Sequence, residues 1–334
     1  MQVGNGEFTY EWIDDWAEIP DPELARRGWA HHGVVVTEAG DVIACHPAYA
    51  TLLVFDTNGR LKRTIPTDLI EGHGITIVKE DNTEYLWIAD TGMKRTPESN
   101  FQYPVASPGP RVVKMTLTGQ IVAELARPAL AIYETGKYTP TWVAENEKSR
   151  GGNGDVWVTD GYGSSVIHRF NANGEYVASI DGTEGTAGHF TCPHAIWIDR
   201  RKADPELYVA DRTNNRLQIY DLDGHFKRVV GAEFLVTPTG FAQAGDALVV
   251  IELRARLTIL DIADRLGTHL GANPDVCTVD GWPNVKNADG IPVRTNLLRP
   301  GYVNSPHGIA ADRTGNLYLS EWLIGGRYTK LQKV

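Results

Sequence analysis

Apolar and polar positions alternate along this chain in short runs, and the runs recur in a fixed order. Stretches such as GHGITIV and PHAIWID place a histidine just ahead of a short apolar strand. A turn follows, then a second strand that ends in an acidic residue, as in YLWIAD, VWVTD, LYVAD and LYLSE. After another turn comes a third strand, RVVKMT, SVIHRF or RLQIYD. Alternation mixed with continuous apolar runs is the pattern of sheets covered on both faces. Six copies align, beginning at His32, His73, Thr141, His194, Thr239 and His307. The common unit is about 45 residues, the usual length of a four-stranded propeller blade.

This repeat predicts an all-β chain forming one six-bladed β-propeller domain over residues 1–334. Face-to-face blades around an axis expose only short sheet edges. The sixth copy has room for three strands, so the N-terminal FTYEWI is expected to supply a fourth and close the last blade. Two insertions lengthen the regular spacing. One covers 92–110 and is rich in Pro and Ser; the other covers roughly 263–303, with a short helix expected at LDIADRLG.

Composition narrows the function. The net charge of -10 counts against nucleic acid and anionic membrane partners, leaving a small-molecule substrate, anionic ones included. No apolar run approaches the roughly 18 residues of a membrane span. The three cysteines, Cys45, Cys192 and Cys277, are widely spaced and odd in number. A reducing cytoplasm is therefore expected, or a secreted location if a leader has been removed. No nucleophile elbow, phosphate loop or dinucleotide fingerprint is present.

Equivalent positions at the start of each innermost strand point at one axis. His32, His73, His194 and His307 are therefore candidate ligands for one divalent transition metal. Imidazole suits zinc, the expected ion, and also iron and manganese. The alternative for any single histidine is an ordinary hydrogen bond to the next blade; four aligned histidines favour the metal. His31 competes with His32 for the first position, and Gly33, aligned with Gly74 and Gly308, favours His32. A second ring lies one strand over: His46, Asp90, Asp160, Asp211, Glu252 and Glu321. Its carboxylates are expected to accept backbone hydrogen bonds in the turns that follow. His46 breaks the acidic pattern and is a candidate proton donor or substrate contact, with a packing role as the alternative.

The repeat as a whole resembles NHL repeats. The segments VWVTDGYGSSVIHRF, GHFTCPHAIWID and LYVADRTNNRLQIYD resemble the peptidyl-α-hydroxyglycine α-amidating lyases over about residues 138–222, and the likeness extends more weakly to all six blades. It implies a zinc ion on His73, His194 and His307, with Tyr162 of the DGY motif and Arg212 of the ADR motif lining the site. The family splits a carbinolamide into an amide and glyoxylate. This chain departs from the family pattern in having no arginine in DVIACHPAY, in Gly308 where the family has an acidic residue for a structural calcium, and in its extra His32. The metal is expected to persist, while calcium and a peptide substrate are not.

Together these readings predict a metal-dependent lyase or related enzyme acting on a small oxygenated substrate. Tyr162 would move a proton, and Arg212 would hold an anionic group through its planar fork. A propeller hydrolase or lactonase and a non-catalytic NHL interaction scaffold are the alternatives. Trp322 and Arg254 are candidates for the pocket wall, and Met93, Lys94 and Arg95 open the first insertion on the same face.

Overall fold

A computed structural model describes residues 1–49, 51–103 and 109–334. The repeat becomes six antiparallel sheets in a propeller arrangement, each running outward from its first strand in chain order. Blade one comprises Val34–Val36, Val42–Cys45, Thr51–Phe55 and Leu61–Pro66. Blade two begins with Gly72–Glu80 and Thr83–Asp90, blade three with Trp142–Glu145 and Val156–Asp160, and blade four with Pro193–Asp199 and Glu206–Asp211. Blade five begins with Pro238–Ala244 and Ala247–Glu252.

Blade six holds Pro306–Ala311, Leu317–Glu321 and Tyr328–Lys333, and its fourth strand is the N-terminal Tyr10–Ile13. Tyr10 pairs with Lys333 and Trp12 with Leu331, as the short sixth repeat requires. A fifth strand, Gln2–Val3, adds to the outer edge. The expected helix at LDIADRLG is absent. Asp261 instead accepts the Ala263 and Arg265 N–H groups in a side-chain-capped turn, and the chain passes into the outer strand Leu266–Leu270. The second insertion consequently starts later and holds a 3-10 turn at Pro274–Thr278 and a small hairpin, Val285–Lys286 with Pro292–Val293.

Close contacts group the chain into two units. One contains blades one, five and six with residues 93–108; Tyr10, Trp12, Val249, Ile251, Leu257, Leu319 and Leu331 are buried together in it. The other contains blades two, three and four, with a core that includes Val78, Trp87, Val112, Val143, Val158 and Phe170.

Candidate metal centre and active site

The acidic residues closing the second strands act as clamps on loops. Asp160 accepts the Thr139 N–H at 2.6 Å, Asp211 the Thr191 N–H at 2.8 Å, and Glu321 the Asn304 and Ser305 N–H groups at 2.7 and 2.9 Å. Each clamped loop leads into the innermost strand of the same blade. At buried Thr139, Asn304 and Ser305 the clamps satisfy backbone donors that would otherwise lack partners. In blade four Asn214 and Arg216 complete the cage around Asp211. The role expected for this ring, in the turns that follow, is seen where Asp160 accepts the Ser164 N–H and Asp90 the Gly92 N–H, each at 2.8 Å; the clamp on the preceding loop is additional.

The innermost strands then present the histidines. His194 and His307 sit where the ladder with the second strand skips a residue, between Pro193 and Ala195 and between Pro306 and Gly308. A bulge of this kind re-aims the extra side chain. His73 Nδ1 lies 2.7 Å from the Thr141 carbonyl, His194 Nδ1 2.8 Å from the Thr239 carbonyl, and His307 Nδ1 3.3 Å from the His32 carbonyl. A carbonyl only accepts, so the hydrogen is on Nδ1 and Nε2 is the lone-pair atom. Such outer hydrogen bonds set the tautomer and aim of metal-binding imidazoles. The carbonyl comes each time from the equivalent position of the next blade. Glycine makes two of these approaches feasible: a Cβ on Gly74 would meet the Thr141 oxygen at 2.3 Å, and one on Gly308 the His32 oxygen at 2.6 Å. No side chain of any charge fits at position 308.

In blades two to four the rings of His73 and His194 lie 4.8 Å apart, and Tyr162 stands against both. Its hydroxyl is 3.2 Å from His73 Nε2 and 2.9 Å from His194 Nε2, and Arg212 donates to it at 3.1 Å. The sequence-predicted Tyr162 and Arg212 are thus brought together with two of the predicted ligands. In blades one, five and six, His307 packs against His31 with ring centroids 4.5 Å apart. Ligand atoms of His31, His73, His194 and His307 all lie within 4.8 Å of one another, and all four residues are buried. Two atoms each about 2.0–2.1 Å from one ion lie at most about 4.2 Å apart, so the four imidazoles would draw in slightly to share one.

His31, not His32, completes this group. The blade-one ladder begins only at Val34, and His32 turns its ring away, onto Tyr328 Oη at 2.8 Å, with its other nitrogen on the Gly33 carbonyl at 3.0 Å. Complete burial pushes its pKa down to about 3. His32 serves through its main chain, as Thr141 and Thr239 do. His46 is likewise committed elsewhere: its Nδ1 accepts the Ala48 N–H at 3.1 Å, its Nε2 faces the Pro20 carbonyl at 3.3 Å, and it stacks on Tyr49. Burial lowers its pKa. It therefore clamps backbone, like the carboxylates at its position in other blades.

Trp322, expected in the pocket wall, lies 5.8 Å from the His31 ring. Arg254 lies over Trp282, which touches Trp322 in turn. Lys94 is paired with Glu71. Trp29 and Tyr103, also close to this wall, are outside the repeats and carry no pattern that marks them. Part of the first insertion, 104–108, lies outside the described residues. Cys45, Cys192 and Cys277 form no disulfide.

With this geometry in view, the chain can be set beside known proteins. It is 29% identical over 153 residues to a probable peptidyl-α-hydroxyglycine α-amidating lyase of Caenorhabditis elegans, a match spanning 44% of this chain and 36% of that relative. A streptogramin B lyase structure superposes with a TM-score of 0.57 at 14% identity, covering 98% of this chain and 99% of that one. A catalytically inactive virginiamycin B lyase from Staphylococcus aureus, solved with quinupristin, gives 0.56 at 12% identity, covering 97% of this chain and all of that one. All three are named as lyases, the first as a probable one. At such low identity the two structural likenesses establish the propeller fold. No family model matches the chain.

Proposed function

We propose that this chain is a metal-dependent lyase of small oxygenated substrates, built as a single closed propeller over residues 1–334. The observation that carries the reading is the convergence of His31, His73, His194 and His307, three of them fixed in the Nδ1–H tautomer by backbone carbonyls. These residues would hold a divalent transition metal, zinc first among the choices, which when bound polarises a hydroxyl or carbonyl. Tyr162 is the group placed to take or return a proton. Its oxygen accepts from Arg212, whose positive charge favours negative charge on that oxygen. The Arg212 guanidinium carbon lies 5.2 Å from the Tyr162 ring centroid, so the tyrosine also orients the guanidinium that would receive negative charge as it develops on the substrate's hydroxyl oxygen.

For a carbinolamide, R–CO–NH–CH(OH)–COO⁻, the hydroxyl proton leaves to a base, the C–N bond breaks, and the amide nitrogen takes up a proton. The products are R–CO–NH₂ and glyoxylate. As a tyrosinate, Tyr162 would serve both transfers, accepting the first proton and returning it to the amide nitrogen. The relative from C. elegans supports this substrate class, and the free cysteines fit a reducing compartment. The test has two parts. Elemental analysis of protein purified without added metal should find about one transition metal per chain, lost in His194→Ala. Incubation with N-acyl-α-hydroxyglycines should release glyoxylate. Metal retained in a His73→Ala/His194→Ala/His307→Ala variant would refute the centre, and full occupancy without glyoxylate release would turn the reading toward a propeller hydrolase.

A further inference from the structure

Beside His31 lies a cluster that the proton-transfer scheme leaves unused. Arg95 lays its guanidinium against three rings: Tyr103 at 4.3 Å, Trp29 at 4.7 Å and Trp322 at 5.5 Å from their centroids. Trp29 and Trp322 are themselves 5.2 Å apart. The cluster is in touch with His31 through Trp322 and through Tyr103, whose hydroxyl is 3.4 Å from His31 Nδ1.

The unusual property of the cluster is its balance of donors and acceptors. Arg95 Nε, Trp29 Nε1 and Trp322 Nε1 are each buried, and none has a hydrogen-bond partner among the described residues. A buried N–H without an acceptor is costly, and more so on a charged group. Nearby carboxylates do not relieve it: Glu98 is engaged by Arg27 and Glu71 by Lys94. A guanidinium whose faces lie on aromatic rings keeps its edge for a carboxylate, the partner that matches its fork. Tryptophan N–H groups donate only, so they too complement an acceptor-rich ligand.

We propose that Arg95, with Trp29, Tyr103 and Trp322, is a specificity pocket for a substrate carrying a carboxylate beside a flat apolar group, held next to His31. The assignment of this ligand as a substrate rests on the lyase reading; its binding does not.

Hippurate (N-benzoylglycine) is the probe, because it has the carboxylate and the ring but no hydroxyl to react. Its titration into the metal-loaded protein is followed by calorimetry and by tryptophan fluorescence, which Trp29 and Trp322 should report directly. The uncharged methyl ester should bind about 10- to 100-fold more weakly, the range for a hydrogen bond to a charged group. Arg95→Met should lose a similar factor for hippurate and little for the ester, with metal content unchanged. Arg95→Lys should fall between, keeping charge but not the fork. In turnover of N-benzoyl-α-hydroxyglycine, Arg95→Met should raise KM with kcat nearly intact. Equal binding of acid and ester, parent-like affinity in Arg95→Met, or failure of the parent to bind hippurate would each overturn the pocket. Hippurate binding through Arg95 without glyoxylate release would keep the pocket and remove the lyase reading. Glyoxylate release without Arg95 dependence would do the reverse.

Discussion

Replacing Glu321 by glutamine should cost the protein about 3 kcal/mol and loosen the hold on His307. The carboxylate is fully buried and works on two sides. One oxygen accepts the N–H groups of Asn304 and Ser305, and the other faces Arg327 at 3.1 Å. Arg327 is also buried, and is otherwise held by Asp14 and by the carbonyls of Tyr302 and Arg299. A glutamine amide of the same shape has one accepting and one donating face. Whichever way it turns, its NH₂ opposes either the guanidinium or the two backbone N–H groups. Breaking one partner out of a buried ion pair costs about 3–5 kcal/mol, and the low end applies because Asp14 remains. With an unfolding entropy of ~2.1 cal/mol/K per residue, a chain of 334 residues loses roughly 4 °C in Tm. Calorimetry of Glu321→Gln, Arg327→Met and the double variant measures this directly. A coupling of about 2 kcal/mol between the two positions is expected. Because the clamped loop ends just before His307, metal retention during dialysis should weaken too. An unchanged Tm in Glu321→Gln, or additive single variants, would refute the clamp.

Other expectations follow from the same geometry. Tyr162→Phe should leave Tm and metal content unchanged while slowing turnover by on the order of 10²–10⁴, since only a proton-carrying hydroxyl is removed; parent-like rates would remove Tyr162 from the chemistry. His168 is buried between Tyr133 Oη and Ser179 Oγ, and burial pushes its pKa down to about 4. The unfolded chain binds this proton near pH 6.5 and the folded one only near 4, so its contribution is intact above 6.5 and declines with falling pH, by about 3 kcal/mol at pH 4. Urea unfolding of parent and His168→Gln at pH 7 and pH 4.5 should therefore show a shallower acid loss in the variant; equal losses would contradict the assignment. Deleting residues 1–13 strips blade six of its fourth strand and of buried Tyr10 and Trp12, and should lower Tm by well over 10 °C, each large aromatic alone accounting for about 3–5 kcal/mol.

The blades were legible because alternation, acidic strand ends and turn residues recur at one spacing, and the closing strand because the last repeat is visibly incomplete. Reading the site was harder where equivalence of backbone is not equivalence of side chain. Alignment rightly matched His32 with Thr141 and Thr239, which all lend a carbonyl to a neighbour's imidazole. Nothing in that alignment shows that the side chain entering the centre is one residue earlier. Ser, Thr and Asp side chains that cap turns also blur the helical period. At LDIADRLG the apolar spacing suits a helix, but Asp261 captures two backbone donors and Asp264 takes a left-handed φ of 63°, so the segment turns. The aromatic wall was partly invisible for a simpler reason: Trp29 and Tyr103 come from segments with no counterpart in other blades.

The contact of a main-chain carbonyl in one blade with the imidazole of the blade before it has an implication for how such a site is inherited. The information that orients each ligand resides in the backbone of the neighbouring repeat, and it is copied whenever the repeat is copied. The information that makes a position a ligand resides in a single side chain. A duplicated blade thus arrives already able to aim an imidazole, and one codon decides whether it does. Axial imidazoles on this scaffold can be gained or lost by point changes at 73, 194 and 307, with no need to rediscover the orientation each time.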